Sequence, residues 1–159
     1  MIPALLYGYL LGTLPIAPLF GLLRRKNLFG KSDLEALRAL GPLPAAMAGV
    51  LELTKGLLAL VLGEAFAGAP GALVAGAAAV FGHAYPFFAP GRGGSGHLPA
   101  LGALFGAHPA LALSALVGFL LKREALAALA AAATGLLLGR ADLALFALAV
   151  HLPPLIKSR

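Results

Sequence analysis

The stretch on which the architecture turns is Leu98-Pro99-Ala100-Leu101-Gly102-Ala103-Leu104-Phe105-Gly106-Ala107-His108-Pro109-Ala110-Leu111-Ala112-Leu113-Ser114-Ala115-Leu116-Val117-Gly118-Phe119-Leu120-Leu121. As one kinked helix it crosses a bilayer once. As two pieces divided at His108-Pro109, each rises only about 15 to 20 Å, short of a hydrocarbon core of about 30 Å. Such half-length pieces are tolerated where neighbouring helices or a water-filled pocket satisfy the freed backbone groups. Hydropathy alone accepts both alternatives.

Around this stretch lie further apolar runs, Met1 to Leu23, Leu43 to Gly63, Gly71 to Phe88, Ala125 to Gly139 and Leu143 to Ile156. With 60% apolar residues, 11% charged residues and a mean hydropathy of +0.94, the chain lacks the polar surface a soluble domain needs. The expectation is an all-α, polytopic transmembrane helix bundle. Its 159 residues leave room for some five to seven crossings and no second domain, so 1–159 reads as a single integral membrane domain. Met1 to Leu23 precedes Arg24, Arg25 and Lys26, whereas a cleaved signal peptide carries its charge first, so it reads as a retained first helix. The absence of cysteine excludes disulfide and thiol chemistry.

Charge separates the two alternatives for 98–121. If all seven segments cross with the N-terminus outside, Arg24, Arg25, Lys26, Lys31, Arg38, Arg92, Lys122, Arg123, Lys157 and Arg159 all fall on the cytoplasmic side. Only Arg140 falls outside. A single crossing over 98–121 puts Lys122 and Arg123 outside, against the positive-inside bias. The sequence therefore favours seven segments, two of them short, with the C-terminus cytoplasmic. The formal charge of +6 then reads as a topology signal in short loops, not as a nucleic-acid surface.

Helix contacts are signalled by Gly8 and Gly12 on the first segment and by Ala75, Ala79 and His83 in a row on the third. Four places carry possible chemistry. Glu52 and Lys55 share one helical face inside the second segment, either as a pocket or as a structural pair. His83 serves either proton transfer or an interhelical hydrogen bond. Gly91-Arg92-Gly93-Gly94-Ser95-Gly96-His97 precedes a helix start at Leu98-Pro99, a pattern that presents backbone N–H groups and an arginine fork to a phosphate. Ser32-Asp33-Leu34-Glu35 is a capping box opening a short surface helix, with Leu34, Leu37 and Leu40 as its apolar side and basic residues that anchor it to anionic lipid.

Tyr9-Leu10-Leu11-Gly12-Thr13-Leu14-Pro15, Glu52-Leu53-Thr54-Lys55-Gly56, and Gly82-His83-Ala84-Tyr85-Pro86-Phe87-Phe88 running into Arg92-Gly93-Gly94-Ser95-Gly96 together resemble the bacterial acyl-phosphate glycerol-3-phosphate acyltransferases, the PlsY family. The order and spacing agree over nearly the whole chain. The resemblance implies a multi-pass protein of the bacterial inner (cytoplasmic) membrane. It also implies transfer of a fatty acyl group from acyl phosphate to the 1-hydroxyl of glycerol 3-phosphate in phospholipid synthesis, with no metal or organic cofactor. It implies His83 at the catalytic pocket, and a phosphate held by Arg92, Gly93, Gly94, Ser95 and Gly96. Lys55, of the intramembrane polar pair with Glu52, would match the family's lysine in the second helix, while Glu52 stands where the family has aspartate.

The pattern departs from the family's in several places. Arg92 and Ser95 stand where two lysines are typical, and His97-Leu98-Pro99 where valine-alanine-threonine is typical. The asparagine-rich loop before the second segment is replaced by the helix from Ser32 to Leu40, of which Leu37-Arg38 and Leu40-Gly41 resemble its tail. The residues thus admit a divergent acyltransferase using Arg92, Arg38 and His83, or a catalytically inactive relative that binds lipid or a partner membrane protein. A small transporter is a third alternative, for which no inverted repeat is visible.

Overall fold

The computed structural model describes residues 1–121 and 123–157; Lys122 and Arg159, both used in the charge count, lie outside the described residues, as does Ser158. The described residues form eight α-helices: α1 (Ile2–Thr13), α2 (Ile16–Leu23), α3 (Asp33–Leu40), α4 (Pro42–Ala84), α5 (His97–Ala107), α6 (Pro109–Leu120), α7 (Glu124–Leu137) and α8 (Ala141–Lys157).

Two apolar runs are broken in ways that hydropathy does not register. The first is divided at Leu14-Pro15, because proline removes an N–H and its ring collides with the carbonyl four residues back. Helix α4 is interrupted at Ala67 and Gly68, where Gly68 takes a φ of +64° and Pro70 follows, so 42–66 and 69–84 are separate segments. Counting α1 with α2 as one, 42–66 and 69–84 as two, and leaving out the short helix α3, the described residues form seven segments, the number that the charges favoured.

Contacts at the two ends show how these segments alternate. At one end the Gly30 N–H donates to the Arg92 carbonyl at 2.7 Å, Lys157 Nζ donates to the Gly93 carbonyl at 2.8 Å, and His97 meets Glu124. At the other end the Tyr7 and Phe66 rings stack with centroids 4.8 Å apart, and Glu64, Gly106 and Arg140 border one cavity. The stretch 98–121 is settled by the same logic. His97, at the start of α5, lies edge-on to Phe119, near the end of α6, with centroids 5.1 Å apart. The two helices therefore run antiparallel and turn at His108, whose backbone is extended at φ −168°.

Small residues fill the interior and large apolar ones face out. The core gathers Ala100, Ala103, Ala127, Ala131 and Ala147 around Leu104, Leu111 and Val150. Leu23, Leu120 and Leu137 are 84%, 74% and 88% exposed. That is the reverse of a soluble protein, and it suits a solvent as apolar as leucine itself. Ile2–Leu23 and Pro42–Ala84 are each long and apolar enough to span a membrane. The two rows of small residues seen in the sequence meet each other. A Cβ on Gly8 would stand 2.2 Å from the Ala75 carbonyl oxygen, and one on Gly12 would stand 2.0 Å from that of Ala79. Backbone contact of that kind brings α1 against the helix that carries His83.

Candidate functional site

The break before Pro15 leaves a helix end and a helix start inside the bundle, and both find partners on the second segment. Lys55 Nζ donates to the carbonyls of Gly12 and Leu14 at 3.1 and 2.8 Å. The Ala17 N–H, in the first turn of α2, donates to Glu52 Oε1 at 3.2 Å. A cation thus meets the negative end of α1 and an anion the positive end of α2, the arrangement favoured by helix dipoles. Lys55 and Glu52 also pair with each other at 2.6 Å and are 3% and 1% exposed. The same pair also reaches His83.

His83 occupies the last turn of α4, buried. Its Nδ1 lies 3.1 Å from Lys55 Nζ and 3.2 Å from Glu52 Oε2, and its Nε2 lies 2.9 Å from Asp33 Oδ1. Asp33 reaches this position because the Ser32 capping box turns α3 inward. The Ser32 hydroxyl accepts from the Glu35 N–H, and the Ser32 N–H donates to the Glu35 carboxylate. The buried side of α3 is then Asp33, Ala36 and Leu40, while Leu34 is 49% exposed.

The glycine stretch wraps this carboxylate. Ser95 N–H donates to Asp33 Oδ1 at 3.0 Å, Gly96 N–H to the same oxygen at 3.4 Å, and Leu98 N–H to Asp33 Oδ2 at 3.1 Å. In return the Asp33 N–H donates to Ser95 Oγ at 3.2 Å. The N–H cradle expected for a phosphate therefore forms, and it holds a side chain of the protein itself. Burial opposes the charge on Asp33, but the His83 imidazole and the Leu98 N–H outweigh it and hold the carboxyl well below the usual carboxylate range. Gly96 needs its glycine for a φ of +89°. Gly94 needs its own for space, since a Cβ there would stand 2.2 Å from His83 Nε2 and 2.5 Å from Asp33 Oδ1.

Beyond this cluster the predicted residues separate. Arg92 is exposed and borders a narrow cavity of about 30 Å³ with Lys31, Glu52, His83, Gly93 and Gly94. At roughly 10–15 Å³ per water, that space admits about two waters. Arg38, also exposed, borders a different cavity of about 460 Å³ between α3, α5 and α6. Leu34, Leu37, Leu101, Phe119 and Leu120 make its apolar wall, and His97 and Glu124 its polar edge. His97 is fixed there through Nδ1 to Ser95 Oγ and through Nε2 to Glu124, both at 2.5 Å. The structure thus brings His83, Glu52, Lys55, Gly94 and Ser95 together and places Arg38 outside this group, at the larger cavity that Asp33 and Leu98 also border.

A family model described as glycerol-3-phosphate acyltransferase matches residues 2–156. The chain belongs to the glycerol-3-phosphate acyltransferase family. Relatives bearing that name include one from Symbiobacterium thermophilum, 36% identical over 123 residues that make 74% of this chain and 60% of the relative. Another, from Jannaschia sp., is 36% identical over 144 residues, 80% of this chain and 68% of the relative. The match to a third, from Carboxydothermus hydrogenoformans, spans only 51% of that protein's length at 38% identity. The fold is that of the crystal structure of PlsY (YgiH), an integral membrane glycerol 3-phosphate acyltransferase, in its glycerol 3-phosphate form. The TM-score is 0.83 at 22% identity, over 98% of this chain and 86% of that one. The lysophosphatidic acid form of the same protein agrees with a TM-score of 0.81. With this fold and its leucine-clad exterior, the present member of the acyltransferase family is an integral membrane protein.

Four residues of this family member carry contacts that the sequence does not announce. Asp33 reads there as part of a capping box, Lys157 as a topology signal, and His97 and Glu124 have no assigned role. Asp33 carries one usable signal: it follows an N-cap serine at a position whose register with Ala36 and Leu40 makes a buried face.

Proposed function

We propose that this chain is a divergent acyltransferase of the bacterial cytoplasmic membrane that moves a fatty acyl group from acyl phosphate to the 1-hydroxyl of glycerol 3-phosphate. The observation that carries this reading is the closed cluster of Asp33, His83, Glu52 and Lys55 directly behind the glycine stretch, with Arg92 and Lys31 at its mouth. In the reaction the substrate hydroxyl forms the new ester bond, the bond from the acyl carbon to the phosphate oxygen breaks, and the hydroxyl proton leaves with the phosphate. Such a step needs charge neutralisation at the departing phosphate, which Arg92 and Lys31 supply beside Gly93 and Gly94. His83 has both ring nitrogens engaged. Its role is to hold Asp33 and thereby the loop, a positioning role. The apolar wall of the 460 Å³ cavity suits the acyl chain, and Arg38 at its edge suits a phosphate. No metal or organic cofactor enters the scheme.

An N-terminus outside and a C-terminus in the cytoplasm are part of the same proposal. Support comes from the end of the bundle where the loop at 24–32, the glycine stretch and Lys157 converge, because it gathers nearly all the described basic residues.

One observation favours a second reading, a non-catalytic relative that binds lipid or a partner membrane protein. The N–H cradle is filled by Asp33, and the His83 cavity admits about two waters.

The deciding experiment is phosphate release from palmitoyl phosphate by the purified, lipid-reconstituted protein, with and without glycerol 3-phosphate. Release that depends on both substrates and falls in Arg92→Ala supports the acyltransferase. No release, beside an active family enzyme, supports the non-catalytic relative.

A further inference from the structure

Lys157 ends α8, yet its side chain does not leave the bundle. Its Nζ donates to the Gly93 carbonyl, 64 residues earlier in the chain, and stands 5.3 Å from the centre of the Tyr85 ring. Beside it is a cavity of about 250 Å³ lined by Gly30, Ser32, Gly91, Gly94 and Ser95, with Lys157 as the one charged side chain among the described residues of the wall. Among the described residues Lys157 enters no ion pair. An ammonium has three N–H groups, and one is used on Gly93. The remaining two, the Ser32 hydroxyl and a wall of glycine backbone make a chamber of the right polarity and size for a phosphate group. The Tyr85 face contributes a cation–π contact that holds the ammonium in place.

We propose that Lys157 is the phosphate-binding cation of this chamber, delivered by the last turn of α8 to the glycine stretch at 91–96. The inference rests on the acyltransferase reading only for which molecule carries the phosphate. Acyl phosphate and glycerol 3-phosphate share the chemistry, and substrate kinetics tell them apart.

The test is thermal unfolding of the full chain in detergent across a titration of inorganic phosphate, for wild type, Lys157→Arg and Lys157→Gln. Glutamine can still donate to the Gly93 carbonyl, so it removes the charge while keeping the contact. The expected result is a saturable rise in Tm for wild type and Lys157→Arg, and a phosphate dependence at least tenfold weaker for Lys157→Gln. A tenfold rise in KM for only one of the two substrates identifies the source of the phosphate. Equal phosphate response in wild type and Lys157→Gln, or none in wild type, overturns the proposal. A Lys157-dependent response without turnover leaves this site standing and removes the acyltransferase reading. Should Lys157→Gln not fold, wild type answers the same question: phosphate should protect Lys157 from an amine-reactive reagent, read by peptide mass, and unprotected labelling overturns the site.

Discussion

Asp33 Oδ1 and His83 Nε2 meet at 2.9 Å, joining the first turn of α3 to the last turn of α4, and the backbone N–H groups of Ser95, Gly96 and Leu98 close on the same carboxylate. One side chain thus ties the surface helix, the third segment and the glycine stretch together.

Asp33→Asn keeps the shape of this tie and removes its charge. Breaking a buried, hydrogen-bonded charge pair costs about 3 to 5 kcal/mol. The expected outcome is a Tm drop corresponding to several kcal/mol, together with protease cleavage near the glycine stretch. An asparagine variant as stable as wild type would show that the carboxylate is not the tie.

Acid should undo the same contact. The folded protein holds the Asp33 carboxyl well below its unfolded value, so the unfolded state binds the extra proton first as pH falls. The stabilisation is therefore full above about pH 4, the ordinary aspartate range, and is lost as pH descends toward the depressed folded value. The wild-type Tm, measured from pH 7 down to pH 2, should hold its lead over Asp33→Asn down to about pH 4, and the gap should narrow with each further unit of acid. Parallel curves would count against it.

Glu52 and Lys55 should behave as a unit. Removing either partner alone, as Glu52→Gln or Lys55→Met, strands a buried charge and should cost about 3 to 5 kcal/mol. The double variant should cost clearly less than the sum, with a coupling of about 1 to 3 kcal/mol in a double-mutant cycle read by unfolding. Additive losses would mean that each residue serves only its own helix end.

Gly94→Ala puts a methyl where His83 Nε2 and Asp33 Oδ1 already stand. Overpacking of this kind costs about 1 to 3 kcal/mol. Because the displaced atoms belong to the proposed site, turnover should fall more than stability does. Comparison with Gly91→Ala, where nothing lies within 4 Å of the added methyl but φ is +74°, separates crowding at the site from backbone strain in the loop.

The sequence carried the architecture well because membrane segments declare themselves one at a time. Each needs its own apolar run, and the positions of Lys122 and Arg123 sufficed to divide 98–121 at His108. The rows Gly8–Gly12 and Ala75–Ala79 were legible for a related reason: small residues at helical spacing mark a face wherever they occur. The site was harder. The Leu34, Leu37 and Leu40 spacing suggested an apolar side laid on the membrane surface, while the buried face of α3 is Asp33, Ala36 and Leu40. A polar residue buried by its partners leaves no periodic trace, and neither Asp33 nor Lys157 is near its partners in the chain. The break at Pro15 was hidden too, because hydropathy measures side chains and the interruption exposes backbone.

That break bears on the order in which the protein is made. The loose ends of α1 and α2 are satisfied by Glu52 and Lys55, residues synthesised some 35 to 43 positions later. Until they arrive, the nascent first segment carries bare carbonyls and an unanswered N–H at the depth of lipid, an expensive condition. The N-terminal segment is therefore unfinished when it leaves the ribosome, and its biogenesis ends only when the second segment inserts beside it.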